Sequence, residues 1–164
     1  MNKHTLLTFL VLIGLLAMTN SSLASNANHA DQNDGIEKLR HAVLRDLEGE
    51  LFFKSPQADA WLNAKIGDRF NELDTVKTGA NSIAVILVEG GSEAQLTLRP
   101  NTQIEIKKMH TNGDAEHTQM NLWMGSVLAK AEKITHDSTF QVKTPAMVAG
   151  IRGTEFEVSY QPPD

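Results

Sequence analysis

The chain has 164 residues, with 15 basic and 20 acidic side chains and a formal net charge of −5. An acidic balance argues against nucleic acid or an anionic lipid surface as the main partner. The sequence holds no cysteine, which excludes a disulfide framework, a thiolate metal site and a thiol nucleophile.

The first element is an export signal. Lys3 carries the positive charge of a short leading segment, Leu6 to Met18 form an apolar run of 13 residues, and small and polar residues follow up to Ala24. Ser22 and Ala24 place small side chains three and one residues before a cut after Ala24, the layout of a cleavable signal over 1–24. The apolar run falls short of the roughly 20 residues a spanning helix needs. The alternative is an uncut membrane anchor. Cleavage removes Lys3 and no other charge, taking 15 basic side chains to 14 against 20 acidic ones, a net charge of −6. The remainder is long enough for one domain with its own core.

Residues 25–42 read as a polar leader, with a short helical or irregular stretch over 36–41. Val43 to Lys54 alternate in hydrophobicity and predict one strand, closed by a turn at Ser55-Pro56-Gln57-Ala58-Asp59. Ile83 to Val88 are all apolar and predict a strand buried on both faces. Gly90 and Gly91 then supply a hairpin turn. Ala94–Leu98 and Gln103–Lys108 alternate cleanly about a turn at Arg99-Pro100-Asn101-Thr102. A second turn is expected at 111–114. Strands are expected over 118–124 and 126–130, split by Gly125, then around Phe140 and Val142, over 148–151 and over 155–159. Residues 160–164 form a tail. No stretch after residue 60 has a helical period, so the fold class is all-β, a single domain of short strands in a sandwich or short solenoid.

The turns come in a recognisable order: Gly49, Trp61, Lys65-Ile66-Gly67-Asp68, Asp74 to Gly79, Ser82, Glu89 to Ser92, Leu98 to Thr102 and Leu122 to Val127. The series ends in Thr144-Pro145-Ala146 and Gly150-Ile151-Arg152-Gly153-Thr154-Glu155-Phe156. Over 43–159 this resembles the FecR domain, the periplasmic sensor part of ferric-citrate-type regulators. The resemblance implies a β-rich periplasmic domain that receives a signal from an outer-membrane receptor. In regulators of this type a cytoplasmic segment ahead of a single membrane helix controls a sigma factor. Here only Met1 to Thr5 precede the apolar run, so the sensing or docking role is what carries over. The pair Gly90-Gly91 stands where the family usually has an acidic residue before glycine.

Most of these residues have structural work to do. Gly67, Asp68, Thr78, Gly79, Gly91 and Ser92 suit turns in which side-chain oxygens bond backbone N–H groups. Pro145 fixes a bend, and Thr144 and Thr154 suit turn-capping hydroxyls. Gly150 and Gly153 bracket a bulge or close approach. Arg152 reads either as a part-buried donor to backbone carbonyls or as an anion clamp. Trp61, following a turn, and Arg152 are the candidates for ligand contact, and Trp123 is expected in the core.

The sequence has no nucleophile elbow, phosphate loop or dinucleotide fingerprint, and its histidines lack zinc spacing. His110, Asp114, Glu116 and His117 share one loop, read as solvated rather than metal-binding. The expectation is a non-enzymatic module without metal or cofactor, exported to the periplasm, that docks an envelope protein. An edge strand such as Ala94–Leu98 would serve for strand addition. The alternatives are a carbohydrate- or small-ligand-binding domain and, with the signal uncut, a membrane-anchored regulator.

Overall fold

A computed structural model describes residues 37–132, 137–151 and 155–163. The export signal, the leader up to residue 36, His136, and Arg152, Gly153 and Thr154 lie outside the described residues. The chain forms strands β1 (Glu37–Leu39), β2 (His41–Glu48), β3 (Leu51–Lys54), β4 (Leu62–Asn63), β5 (Arg69–Phe70), β6 (Thr75–Thr78) and β7 (Ile83–Glu89). Then follow β8 (Ala94–Leu98), β9 (Gln103–Asn112), β10 (Ala115–Ala131), β11 (Thr139–Lys143), β12 (Val148–Ile151) and β13 (Glu155–Tyr160). The described residues contain no helix, and so none long and apolar enough to cross a membrane. The helical reading of 36–41 gives way to strand: Glu37–Leu39 pair with His110–Asn112, and this backbone pairing overrides a weak helical period.

All 13 strands join in one sheet, which folds over into two layers. One layer runs β4-β3-β6-β9-β10-β11-β12, with β1 on the far half of β9. The other runs β5-β2-β7-β8-β10-β13. Every pairing is antiparallel except β10 with β11. Strand β10 belongs to both layers. Residues 115–124 pair with β9, and residues 125–131 pair with β8 and β13. The two strands expected over 118–130 are therefore one strand of 17 residues, bent at Gly125, whose φ of +95° suits glycine. Gly49, at φ +83°, similarly divides the single strand expected over 43–54 into β2 in one layer and β3 in the other. Layer-switching strands of this kind make the corners of a sandwich.

The inward faces meet in one core. Phe70, Leu44, Ile86, Leu96, Ile104 and Met120 are completely buried in it, each contributing about 1.5–3 kcal/mol of apolar burial. Strand β7 is fully buried on one face only: Ala84, Ile86 and Val88 point inward, while Ile83, Val85 and Leu87 are only partly covered on the outside. Ala94–Leu98 is not an edge, since β8 is hydrogen-bonded to β7 on one side and β10 on the other. Gly150 pairs in regular register with Gln141, and the bulge or close approach expected between Gly150 and Gly153 falls on residues outside the described ones.

Candidate functional site

The turn residues assemble at the bend where both corners lie. A Cβ on Gly49 would sit 2.3 Å from Ser82 Oγ, and one on Gly125 would sit 2.4 Å from Thr102 Oγ1. Each hydroxyl holds the residue after its glycine. Glu50 N–H donates to Ser82 Oγ at 2.8 Å, and Ser126 N–H donates to Thr102 Oγ1 at 3.0 Å. Thr78 ties the corners together: its hydroxyl donates to the Arg99 carbonyl at 2.7 Å and accepts from Thr102 N–H at 2.9 Å. Gly79 N–H donates to the Glu50 carbonyl at 3.1 Å, and its own carbonyl accepts from Asn101 N–H at 3.1 Å. The pair Gly67-Asp68 closes a separate local turn, with Asp68 Oδ2 accepting from Lys65 N–H at 2.8 Å. The side-chain oxygens of Ser82, Thr102, Thr78 and Asp68 are all engaged with main-chain groups and so shape the backbone.

The opposite end is closed by a residue the sequence reading passed over. Arg40, 4% exposed, donates to the Ser92 carbonyl at 2.9 Å, the Glu89 carbonyl at 3.3 Å and Thr118 Oγ1 at 3.2 Å. Its Nη1 lies 3.2 Å from Glu116 Oε2, and Glu116 Oε1 accepts from Ser92 N–H at 2.6 Å. Burial lowers the Arg40 guanidinium from its ordinary value, and the Glu116 charge opposes that shift. The β7–β8 turn containing Gly91 and Ser92 is thus pinned to β2 and β10. The signal in the sequence was phase: Arg40 occupies the same inward register as the buried Ala42 and Leu44.

The two tryptophans exchange their expected roles. Trp123 is 45% exposed, because it keeps the outward phase of a strand whose Thr118, Met120 and Leu122 point inward; the alternation turns over only after it, at Met124. Trp61 is half-buried, and Lys77 Nζ lies 4.1 Å from the centre of its ring, which occupies one aromatic face by a cation–π contact. Trp123 lines a cleft of about 260 Å³ with Asn121, Leu122, Lys143, Thr144 and Pro145. Beyond the turn, Met147 and Val148 are also exposed. Thr144 Oγ1 caps that turn, accepting from Ala146 N–H at 3.2 Å and Met147 N–H at 3.0 Å.

His110 and His117 stand opposite one another across the β9–β10 hairpin. The His110 and His117 rings are 5.4 Å apart, and His110 Nδ1 lies 3.1 Å from Glu72 Oε1 and 3.4 Å from Glu37 Oε1. His117 Nδ1 lies 3.1 Å from Thr139 Oγ1, and Glu116 is engaged by Arg40. Among the described residues no group of three or more His, Asp or Glu side chains is arranged to hold a metal ion.

No curated protein and no solved structure matches the chain. The family model described as FecR protein matches residues 74–164, from the buried Asp74 through the corner residues to the last strand. The chain belongs to the FecR family.

Proposed function

We propose that this chain is an exported periplasmic FecR module that docks a protein partner in the cell envelope. Its family is one of regulators and sensors, and the apolar run ending before Ala24 supports export. The observation that carries docking is the apolar surface at the corner end. Trp123, Met124, Met147 and Val148 are 45%, 36%, 52% and 58% exposed, and Trp123 faces the Thr144-Pro145 turn across the cleft. An exposed indole beside a preformed cleft is the usual anchor of a protein interface. A carbohydrate reading has less support, since the half-buried Trp61 already carries Lys77 on its ring.

The experiment is crosslinking in the native envelope from a photoreactive side chain at Met147, with N-terminal mapping on the same sample. One specific adduct, lost on Trp123→Ala, is expected, with a mature N-terminus at Ser25. No adduct at Met147, or one indifferent to Trp123→Ala, overturns docking at this surface. An intact Met1 replaces export with a membrane-anchored regulator.

A further inference from the structure

The hairpin β9–β10 brings two histidines together on its outward face. His110 of β9 stands opposite His117 of β10. Their neighbours Met109 and Thr118 are buried and point into the core, so both imidazoles point away from it. The two rings are tilted by 56°, with centres 5.4 Å apart.

Each ring is held by its Nδ1, and from opposite sides. His110 Nδ1 lies 3.1 Å from Glu72 Oε1 and 3.4 Å from Glu37 Oε1. An ionised carboxylate only accepts, so Nδ1 carries the proton and Nε2 of the neutral ring keeps its lone pair. Glu72 is itself fixed, because the same Oε1 accepts from Met109 N–H. His117 Nδ1 lies 3.1 Å from Thr139 Oγ1, a hydroxyl able to accept from an Nδ1–H in the same way. Strand β1, which carries Glu37, and strand β11, which carries Thr139, flank the hairpin on its two sides. The two nitrogens of an imidazole point to nearly opposite sides of the ring. With Nδ1 of His110 drawn towards β1 and Nδ1 of His117 drawn towards β11, the two Nε2 atoms are turned towards each other.

We infer that this pair is a metal site, in which His110 and His117 bind one divalent transition-metal ion, Zn²⁺ or Cu²⁺, through their Nε2 atoms. A metal-ligating histidine gives its other nitrogen to a carboxylate, a carbonyl or another acceptor, which fixes the ring and raises its basicity. Both rings here are held in that way. With metal–nitrogen bonds of about 2.0–2.1 Å and a tetrahedral angle, two imidazoles sharing an ion have ring centres roughly 5 Å apart. The separation of 5.4 Å already matches this. Imidazole ligands suit zinc and copper, whereas calcium and magnesium require oxygen donors. Glu72 and Glu37 add negative charge beside the pair, and Lys108, two residues before His110 on the same face, is exposed. No third protein ligand stands with the pair among the described residues, so water completes the coordination and the ion exchanges readily. The bound ion staples β9 to β10 about 20 Å along the strand from Trp123, and leaves that cleft open.

The test is calorimetric titration of the untagged protein, purified from its host envelope, with ZnCl2 and separately with CuSO4. One equivalent of each ion should bind, Cu²⁺ more tightly than Zn²⁺, as the order of divalent affinities requires. His110→Gln and His117→Gln should each weaken binding about 100-fold or more, and Glu72→Gln, which keeps an acceptor for Met109 N–H, about 10-fold. Replacing His29, His41 and His136 together by Gln should leave binding unchanged. Imidazole nitrogen chemical shifts of the wild type give a readout that needs no variant to fold. Zn²⁺ should displace the Nε2 resonances of His110 and His117 and leave both Nδ1–H groups in place. Absence of binding, binding that survives His117→Gln, loss of binding in the triple variant, or coordination through Nδ1 each overturns the inference.

Discussion

The guanidinium of Arg40 lies 3.2 Å from the carboxylate of Glu116, and that carboxylate also holds the backbone N–H of Ser92. With Arg40 removed, Glu116 stays partly buried without its counter-charge. Arg40→Ala should therefore destabilise the domain by about 3–5 kcal/mol, read as a fall in urea midpoint. Arg40→Met with Glu116→Leu should recover much of that loss, since an apolar replacement of a buried pair is close to neutral. A double variant as unstable as Arg40→Ala would show that the pair's contacts to the β7–β8 turn, rather than its charge balance, hold this end closed.

At the other end, glycines with the same backbone sign should respond differently. Gly125 and Gly67 have φ of +95° and +94°. A Cβ at Gly67 meets nothing within 4 Å, whereas one at Gly125 meets Thr102 Cα at 2.5 Å. Gly67→Ala should cost about 1–2 kcal/mol through backbone strain alone. Gly125→Ala should add about 1–3 kcal/mol of overpacking, because the obstacle is main chain. Denaturant titration of the two variants side by side measures the difference.

Thr102 Oγ1 accepts from Ser126 N–H and donates to the Ser126 carbonyl, both at 3.0 Å. Thr102→Val keeps the shape and leaves these groups without their hydroxyl, at a cost of about 1–3 kcal/mol. Thr102→Ser keeps the hydroxyl and should lose less. Amide exchange at Ser126 should quicken in the valine variant and stay near wild type in the serine variant.

The existence of the strands was partly written in their alternation. Ala94–Leu98 and Glu155–Tyr160 show it plainly, and both are strands. Which strands are neighbours was not, because a period of two fixes the face of a residue and says nothing of its lateral partner. Hence Ala94–Leu98 looked like an edge and is central. Ile83–Val88 looked doubly buried because an aliphatic outer face reads like an inner one. Gly125 was legible as an interruption, but a glycine that ends a strand and one that carries it round a corner look alike in sequence. Arg40 was hidden by its charge: a cation in register with buried residues is intelligible only once Glu116, remote in the chain, is brought beside it.

The two indoles offer an optical check. In Trp61→Phe, the remaining emission from Trp123 should be red-shifted and easily quenched by acrylamide, as its 45% exposure requires. In Trp123→Phe, emission should come from the more protected Trp61. Adding Lys77→Met should alter that second spectrum with a stability loss of about 1 kcal/mol or less. The opposite pattern of quenching would return Trp123 to the interior.

Strand β10 also governs how such a domain carries load. Its 17 residues run without interruption from one layer into the other, so at this corner the layers are joined by main chain and not by side-chain packing alone. A force applied at Trp123 would enter the same main chain that pairs with β8 and β13 further along.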